Sequence, residues 1–489
     1  MLLPVEYDSI FIPMPSFTFI DLFAGIGGFH YALAGLGGKC VMTCEIDAAC
    51  QHVYRTAFPE LPRNRLINNI RSITRENIED ESTTRTRPAI RRLVPDHDVL
   101  CAGFPCQPFS KSGAQKGVHD TTRGTLFFDI MEIARAKQPK YMILENVRNL
   151  TGPRHTQTWR TIIDSIRDAG YRVSDEPVVL SPHLIPAEFG GAPQVRDRVF
   201  ILCEYIGNGK GKTLTSPPLL HRNSFAEWNP DSWNIEDYLI PDSKIKNIAN
   251  YRLRPAELAW LEAWEYFVVN IQSDTLPGFP IWVDAFQSKL QIPKSSPEWE
   301  QNFLTKNFHF YHAHKKFIDC WLKMKWGSEG TTVRDFPMSR QHFEWQARKQ
   351  HPTAKGRTLK DLVCQMRPSG IRVKPATYLP ALVAITQTSI IGPRVGKLSE
   401  YRTLTPLEAS KLQGIPGEIF ARAGVADKVA YKQLGNAVNV GVVRLACQTL
   451  MSGIAMSPRP SMGKARRAKA IRETEPSLFD HVEVTSASK

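Results

Sequence analysis

FTFIDLFAGIGGFHYALAGLGGKCVMTCEI, residues 17–46, decides the fold. An apolar run over 17–23 gives way to a turn holding Gly25, Gly27 and Gly28. Helix-forming residues follow up to Gly37-Gly38, and a second apolar run covers 40–46. Strand, glycine turn, helix and strand in that order describe the nucleotide-binding edge of a doubly wound sheet. Glycine lets the main chain approach a ligand closely, and a helix N-terminus offers amides to an anionic group. The spacing is GxGG, which departs from the GxGxxG of dinucleotide folds, and Glu45 stands 20 residues past Gly25, where a carboxylate can reach ribose hydroxyls. Taken alone, the motif fits either a nucleoside cofactor or a turn needed only to pack a helix on a strand.

The same rhythm runs outward from this stretch. A helix is expected over 48–57, strands over 98–104 and 141–144 flank a helix over 126–137, and a strand over 198–204 closes the series. Strands alternating with helices predict an α/β fold, a doubly wound, mostly parallel sheet with helices on both faces. The rhythm fails between about 206 and 400, a stretch rich in Pro, Trp and basic residues, and returns over 401–452. The expected organisation is therefore 1–205 as one domain, 206–400 as a second, irregular one, 401–452 as a return to the first, and 453–489 as a basic polar tail.

Composition sets the outer limits. With 489 residues and roughly 100–200 residues per domain, the chain holds two or three domains. A hydrophobic content of 42% excludes a disordered chain. No run approaches the roughly 18 apolar residues that span a bilayer, and the first residues lack a basic segment followed by an apolar core, so a cytoplasmic protein is expected. Nine cysteines without a CxxC pair argue against a disulfide framework. Cys40, Cys44, Cys50 and His52 match no structural zinc spacing, and no metal site is expected. The net charge of +14 favours a polyanionic partner without separating DNA from RNA, and a merely solvated basic surface stays open.

Three further stretches carry chemistry. GFPCQPF (103–109) follows an apolar strand, so Cys106 lies just beyond a strand's carboxyl end, where such sheets place ligands. The basic, glycine-rich segment 110–125 suits a loop that closes on substrate. Glu145, in PKYMILENV (139–147), is a candidate proton donor whose pKa desolvation would raise; a capping or salt-bridging role is the alternative. In QVRDR (194–198), an extended backbone would put Gln194, Arg196 and Arg198 on one face as a row of donors, whereas surface salt bridges are the plainer reading.

Together these residues resemble the DNA (cytosine-5) methyltransferases, bacterial restriction-modification type. DLFAGIGGF, GFPCQPFS, ENV, QVRDR, RTLTPLEASKLQGIP (402–416) and YKQLGNAV (431–438) stand in that family's order, over about 17–204 and 401–445. The resemblance implies the S-adenosylmethionine-dependent methyltransferase fold, with the insert as target recognition domain and GIRVKPATYLPAL (370–382) as the carrier of its Thr-containing DNA-reading strand.

The resemblance also implies roles. Cys106 would add to C6 of a flipped cytosine, since C5 itself is too poor a nucleophile to attack a sulfonium methyl. Glu145 would engage N3 and the exocyclic amine, Arg198 would hold O2, and Arg196 would lie close to the nucleophile. Phe23, Gly25, Gly27 and Gly28 would line S-adenosyl-L-methionine, Glu45 its ribose, and Ile46 its adenine. Asn69, where the family usually has Asp, and Ile70 would meet the adenine as well. Leu126, Asn436 and Val438 complete that set. The implied activity is C5 methylation of a cytosine in a short duplex DNA sequence, protecting host DNA from a cognate restriction endonuclease. Double-stranded DNA is the implied partner, with the protein a monomer in the bacterial cytoplasm, associated with the nucleoid. Methylation of RNA by the same machinery is the nearest alternative, and a catalytically idle DNA-binding protein is a further one.

Overall fold

The computed structural model describes residues 15–80, 83–105, 126–207, 214–273, 276–347, 356–382 and 389–453. Cys106, the loop 107–125 and the basic tail from 454 onward lie outside the described residues. The chain divides into two compact units: Met1–Arg252 with Pro375–Ser457, and Leu253–Lys374 with Pro458–Lys489. Sequence composition changes at about 206 and 401, whereas these units divide at 252/253 and 374/375.

The first unit opens with β1 (Phe17–Leu22), α1 (Gly28–Ala34), β2 (Gly38–Cys44), α2 (Ala48–Ala57), β3 (Leu66–Ile67), α3 (Arg71–Thr74) and α4 (Arg87–Leu93). It continues with β4 (Val99–Gly103), α5 (Leu126–Lys137), β5 (Tyr141–Val147), α6 (Thr156–Asp168), β6 (Tyr171–Ser174), β7 (Val178–Leu180), β8 (Arg198–Tyr205) and β9 (Thr215–Ser216). The sheet order is β3-β2-β1-β4-β5-β8-β6-β9, with β7 paired to β8. Strands β1 to β5 are mutually parallel. Strand β8 runs antiparallel to β5, β6 and β7. The chain walks outward from β1 to β3 and then crosses back to place β4 on the other side of β1. That reversal falls between β1 and β4, and in open α/β sheets ligands usually sit at the carboxyl ends of the strands flanking such a point.

Alternation along β1 shows why this strand lies in the middle of the sheet. Phe17 and Phe19 face one apolar layer with Phe29 and Leu33 of α1. Ile20 and Leu22 face the other with Ile130 and Ile133 of α5 and Ile162 of α6. A strand buried on both faces is mostly apolar, and four of the six β1 residues are, the exceptions being Thr18 and the fully buried Asp21. The expected helix after the glycine turn is shorter than its pattern: α1 stops at Ala34, and Gly35 caps it. β5, by contrast, runs on through Glu145 to Val147, because Glu145 pairs with Phe200 and Val147 with Arg198 of β8.

The second unit contains α7 (Pro255–Asn270), β10 (Ile281–Trp282), α8 (Glu298–Ala313), α9 (Lys315–Lys323), α10 (Met338–Gln341), β11 (His342–Trp345), β12 (Leu362–Arg367) and β13 (Gly370–Pro375). Its strands follow the order β10-β11-β13-β12. Trp264 stacks on Phe343 with ring centroids 4.5 Å apart and also meets Trp321. The indole N–H of Trp264 donates to the Arg340 carbonyl and that of Trp321 to the Ala263 carbonyl, so both buried rings have their polar edge satisfied. These tryptophans form the unit's core. β13 ends at Pro375, so Thr377 lies in the turn beyond the strand rather than on it.

The chain then returns to the first unit through β14 (Ile390–Ile391), β15 (Arg402–Thr403), α11 (Pro406–Gln413), α12 (Glu418–Arg422), α13 (Asp427–Asn436) and α14 (Val440–Ser452). Val443, Leu445 and Ala446 of α14 share the apolar layer of Phe19 and Leu33. Among the described residues, no helix is long and apolar enough to cross a membrane.

Candidate active site

Topology gathers the expected residues at one edge of the sheet. Phe23, Glu45 and Asn69 follow the carboxyl ends of β1, β2 and β3, and Phe104-Pro105 follow β4. Glu145 sits near the end of β5, and Arg198 opens β8 at the same edge because β8 runs the opposite way.

The turn after β1 is held in a costly conformation. Phe23, a bulky residue, has φ 59°, in the left-handed region where a non-glycine residue costs about 1–3 kcal/mol. Gly25 and Gly27 follow at φ 55° and 90°. A Cβ at Gly27 would stand 2.3 Å from the Phe58 ring, and one at Gly28 would stand 2.6 Å from the Val438 side chain. Over Gly25, by contrast, there is open space: nothing lies within 4 Å of where a Cβ would be. The glycines thus serve two needs, close packing below and room above.

Glu45 ties the turn to the next strand. Its Oε2 accepts from the Gly25 amide at 2.7 Å and its Oε1 from the Asp47 amide at 2.7 Å. The Gly25 amide in the turn is therefore engaged by a carboxylate, while the amides at the start of α1 belong to Gly28 and the residues after it. The Glu45 amide donates to the Ile67 carbonyl, joining the ends of β2 and β3. Ile46, next in the chain, is 71% exposed, an unusual setting for an apolar side chain beside a glycine turn. Asn69 Oδ1 accepts from the Arg71 amide at the start of α3, and Ile70 is buried in the core beneath it. Leu126 is half-buried at the start of α5, Asn436 ends α13 exposed, and Val438 is buried against the glycine turn. Cys40, Cys44 and Cys50 are buried or half-buried thiols, each pushed up to about 12 by burial.

Glu145 and Arg198 form the polar centre. Arg198 Nε lies 3.0 Å from Glu145 Oε1, and its Nη1 donates to the Asp197 carbonyl. Burial raises the Glu145 pKa, while the Arg198 and Arg196 guanidiniums pull the other way. A carboxyl group so placed keeps its proton at a higher pH than an exposed glutamate and can donate it. Gly103 pairs with Glu145 across β4 and β5, and a Cβ there would stand 3.4 Å from Oε2, in ordinary contact with it.

Arg196 departs from the expected donor row. β8 begins at Arg198, and Arg196 and Arg198 spend their donors differently, Arg196 on main-chain carbonyls and Arg198 on Glu145. Gln194 makes a single bridge with Leu379. Arg196 is 2% exposed and donates to the carbonyls of Leu382, Gly435 and Ala437 at 3.0, 2.8 and 2.6 Å. Its guanidinium is pushed down to about 9 by burial, with Arg198 adding to the effect. It fastens the returning segment that carries Asn436 and Val438, a role that pattern reading missed because the partners are backbone carbonyls over 180 residues away.

Asn146 was also missed. Its Nδ2 donates to the Phe104 carbonyl at 2.9 Å and its Oδ1 accepts from the Val147 amide, so the end of β5 grips the chain two residues before Cys106. Its position beside Glu145 in ENV was the available signal. The spatial relation of Cys106 to Glu145 falls outside the described residues.

Comparison with known proteins adds an independent finding. Residues 17–451 match the C-5 cytosine-specific DNA methylase family. The type II methyltransferase M.AluI of Cellulosimicrobium cellulans is 37% identical, over 88% of this chain and 90% of its own. M.HpaII of Haemophilus parainfluenzae is 36% identical over 51% of this chain and 65% of its own. M.BanI of Aneurinibacillus aneurinilyticus is 29% identical over 88% of this chain and 95% of its own.

Proposed function

The chain belongs to the C-5 cytosine-specific DNA methylase family, and from that premise we propose that it methylates C5 of one cytosine in a short duplex DNA sequence, with S-adenosylmethionine as donor. The observation that carries the reading is the pair of buried Glu145 and half-buried Arg198 at the carboxyl edge of the sheet, beside the strand end that leads toward Cys106 in sequence.

The residues at the β1 turn fit such a cofactor. Open space over Gly25 gives the main chain a face for it, and the Glu45 carboxylate stands beside that face as a partner for hydroxyls. The exposed Ile46 offers an apolar surface to a purine ring. Phe23, Gly27 and Gly28 shape the turn; Ile70, Leu126, Asn436 and Val438 close the set. Asn69, whose carboxamide oxygen accepts from the Arg71 amide, would offer its carboxamide to the adenine. When bound, S-adenosylmethionine supplies an electrophilic methyl group.

On the substrate side, a cytosine must leave the duplex stack before a side chain can reach C6. Cys106, as thiolate, adds to C6 and makes C5 nucleophilic. Glu145 hydrogen-bonds the exocyclic amine and delivers its proton to N3 as the adduct forms. Arg198 donates to O2 while orienting Glu145, and Arg196 adds positive charge beneath both. Once C5 carries the methyl group, loss of the C5 proton re-forms the C5–C6 double bond as the C6–S bond breaks, Cys106 leaves as thiolate, and the N3 proton returns to Glu145. The unit Leu253–Lys374 is the proposed target recognition domain, and a cognate restriction endonuclease sharing the target is the proposed biological context, supported by the type II names of the relatives. The proposed working form is a monomer in the bacterial cytoplasm, on nucleoid DNA.

The test offers methyl-labelled S-adenosylmethionine with duplex DNA and with transfer RNA, followed by bisulfite sequencing of the labelled product. Label in DNA at C5 of one recurrent sequence is expected. Label only in RNA would overturn the DNA assignment.

A further inference from the structure

Two arginines with no part in the chemistry above converge at the rim of the proposed cytosine pocket. Arg148 follows β5, three residues after Glu145, and Asp197 immediately precedes Arg198, which pairs with Val147 across β5 and β8. The register therefore sets Arg148 beside Asp197, and its Nη1 donates to Asp197 Oδ2 at 2.9 Å. Arg222, arriving from beyond β9, donates through its own Nη1 to the same oxygen, also at 2.9 Å. The Asp197 side chain is only 16% exposed, whereas Arg148 is 63% and Arg222 40% exposed. A mostly buried carboxylate thus holds two guanidinium forks that face solvent.

The charge balance points to what they hold. Arg148, Arg196, Arg198 and Arg222 are four cations, and Glu145 and Asp197 are two anions, so four minus two leaves an excess of +2. The excess reaches +3 when Glu145 is protonated, the form in which it donates. Concentrated positive charge at a cleft mouth attracts anions. Each guanidinium has five N–H donors, and among the described residues Arg148 and Arg222 each spend one of them on Asp197. The remaining donors form a planar, forked surface suited to a phosphodiester. The two arginines offset the burial of the Asp197 carboxylate, and their own exposed edges still face solvent.

We propose that Arg148 and Arg222, held by Asp197, form a phosphate site for the DNA backbone next to the cytosine that enters the Glu145–Arg198 pocket. The inference rests on the reading of that pair as the cytosine pocket. Asp197 orients the two arginines, and they in turn fix the strand so that the base it carries meets Glu145.

The test uses the full chain with Arg148→Gln, Arg222→Gln and the double variant, and Arg148→Lys and Arg222→Lys as charge-keeping controls. Duplex DNA binding is measured across a series of salt concentrations, and methyl transfer is measured at varied DNA concentration. Each Gln variant is expected to weaken DNA binding about tenfold, with the loss in KM for DNA rather than in kcat. The slope of log affinity against log salt should become shallower by about 0.9 for each phosphate that is no longer neutralised, and the Lys variants should keep the slope. S-adenosylmethionine affinity should not change. An unchanged salt slope in folded Gln variants, or a loss confined to kcat, overturns the phosphate site. If the wild-type chain shows the steeper slope but transfers no methyl group to DNA, the catalytic reading fails and the phosphate site stands.

Discussion

At the scale of single residues, the competition around Glu145 sets the expected behaviour. Burial favours the neutral acid and two guanidiniums favour the carboxylate, with burial the larger influence. The folded protein therefore holds this proton more tightly than the unfolded chain does. The cost of ionising Glu145 is absent at pH values below the ordinary 4.5 and grows as pH rises through the raised folded value. Glu145→Gln removes that cost, so its thermal midpoint should exceed the wild type's by a margin that opens as pH rises above 4.5. The same variant should lose ~10²-fold or more in kcat, the usual scale of general acid catalysis. A pH-independent difference in midpoint would contradict the assignment. In activity, the Glu145 contribution as proton donor disappears as pH rises, so the alkaline limb of the pH–rate profile is the one that Glu145→Gln should alter. The identities of Glu145 and Arg198 were legible in ENV and QVRDR. The bonds of Arg196 and Asn146 were not, because a sequence does not say which distant carbonyl a buried donor will meet.

At the scale of elements, two helices show how the cofactor edge is held together. Asn69 and Ile70 precede α3, and Thr74 and Arg75 end it. Arg75 meets Asp129 of α5 through Nε at 3.2 Å and Nη2 at 3.3 Å, while the Thr74 hydroxyl donates to Asp129 at 2.6 Å. Both charged side chains are 4% exposed. Asp129 lies one turn into the helix that Leu126 opens, so this buried pair sets α3 and α5 in register. Removing one partner of a buried ion pair typically costs about 3–5 kcal/mol, whereas an apolar replacement of both is often neutral. Asp129→Ala should therefore lower stability by about that amount in denaturant unfolding, and Arg75→Met with Asp129→Leu should recover most of it. Equal losses in both would show that the pair itself carries the stability. β1, α2, β4, α5 and β8 were legible because apolar runs and glycine boundaries mark them. The true lengths of α1 and β5 were not. Gly35 ended one before the expected Gly37-Gly38 pair, and pairing with β8 carried the other through Glu145, which only tertiary packing decides.

At the scale of the whole molecule, the sequence divides by composition where the folded chain divides by packing. The residues 206–252 and 375–400 read as part of the irregular insert, yet they belong to the first unit. Arg402 explains one of these joins: its guanidinium binds Asp242 and the fully buried Glu408, drawing the segment after β9 against β15 and α11. A network of that kind is invisible to periodicity. Four tryptophans of the second unit, Trp264, Trp282, Trp321 and Trp345, are buried in its core, whereas Trp299 is exposed. The net charge of +14 then has its most concrete expression in the arginines around Glu145 and Asp197. The central claim, a covalent Cys106 adduct on a flipped cytosine, is tested most directly with duplex DNA carrying 5-fluorocytosine at the target. Fluorine at C5 blocks the final elimination, so the account predicts a denaturation-resistant protein–DNA complex that depends on S-adenosylmethionine and is absent in Cys106→Ala. Normal turnover on unmodified DNA with no trapped complex on the fluorinated duplex would contradict it.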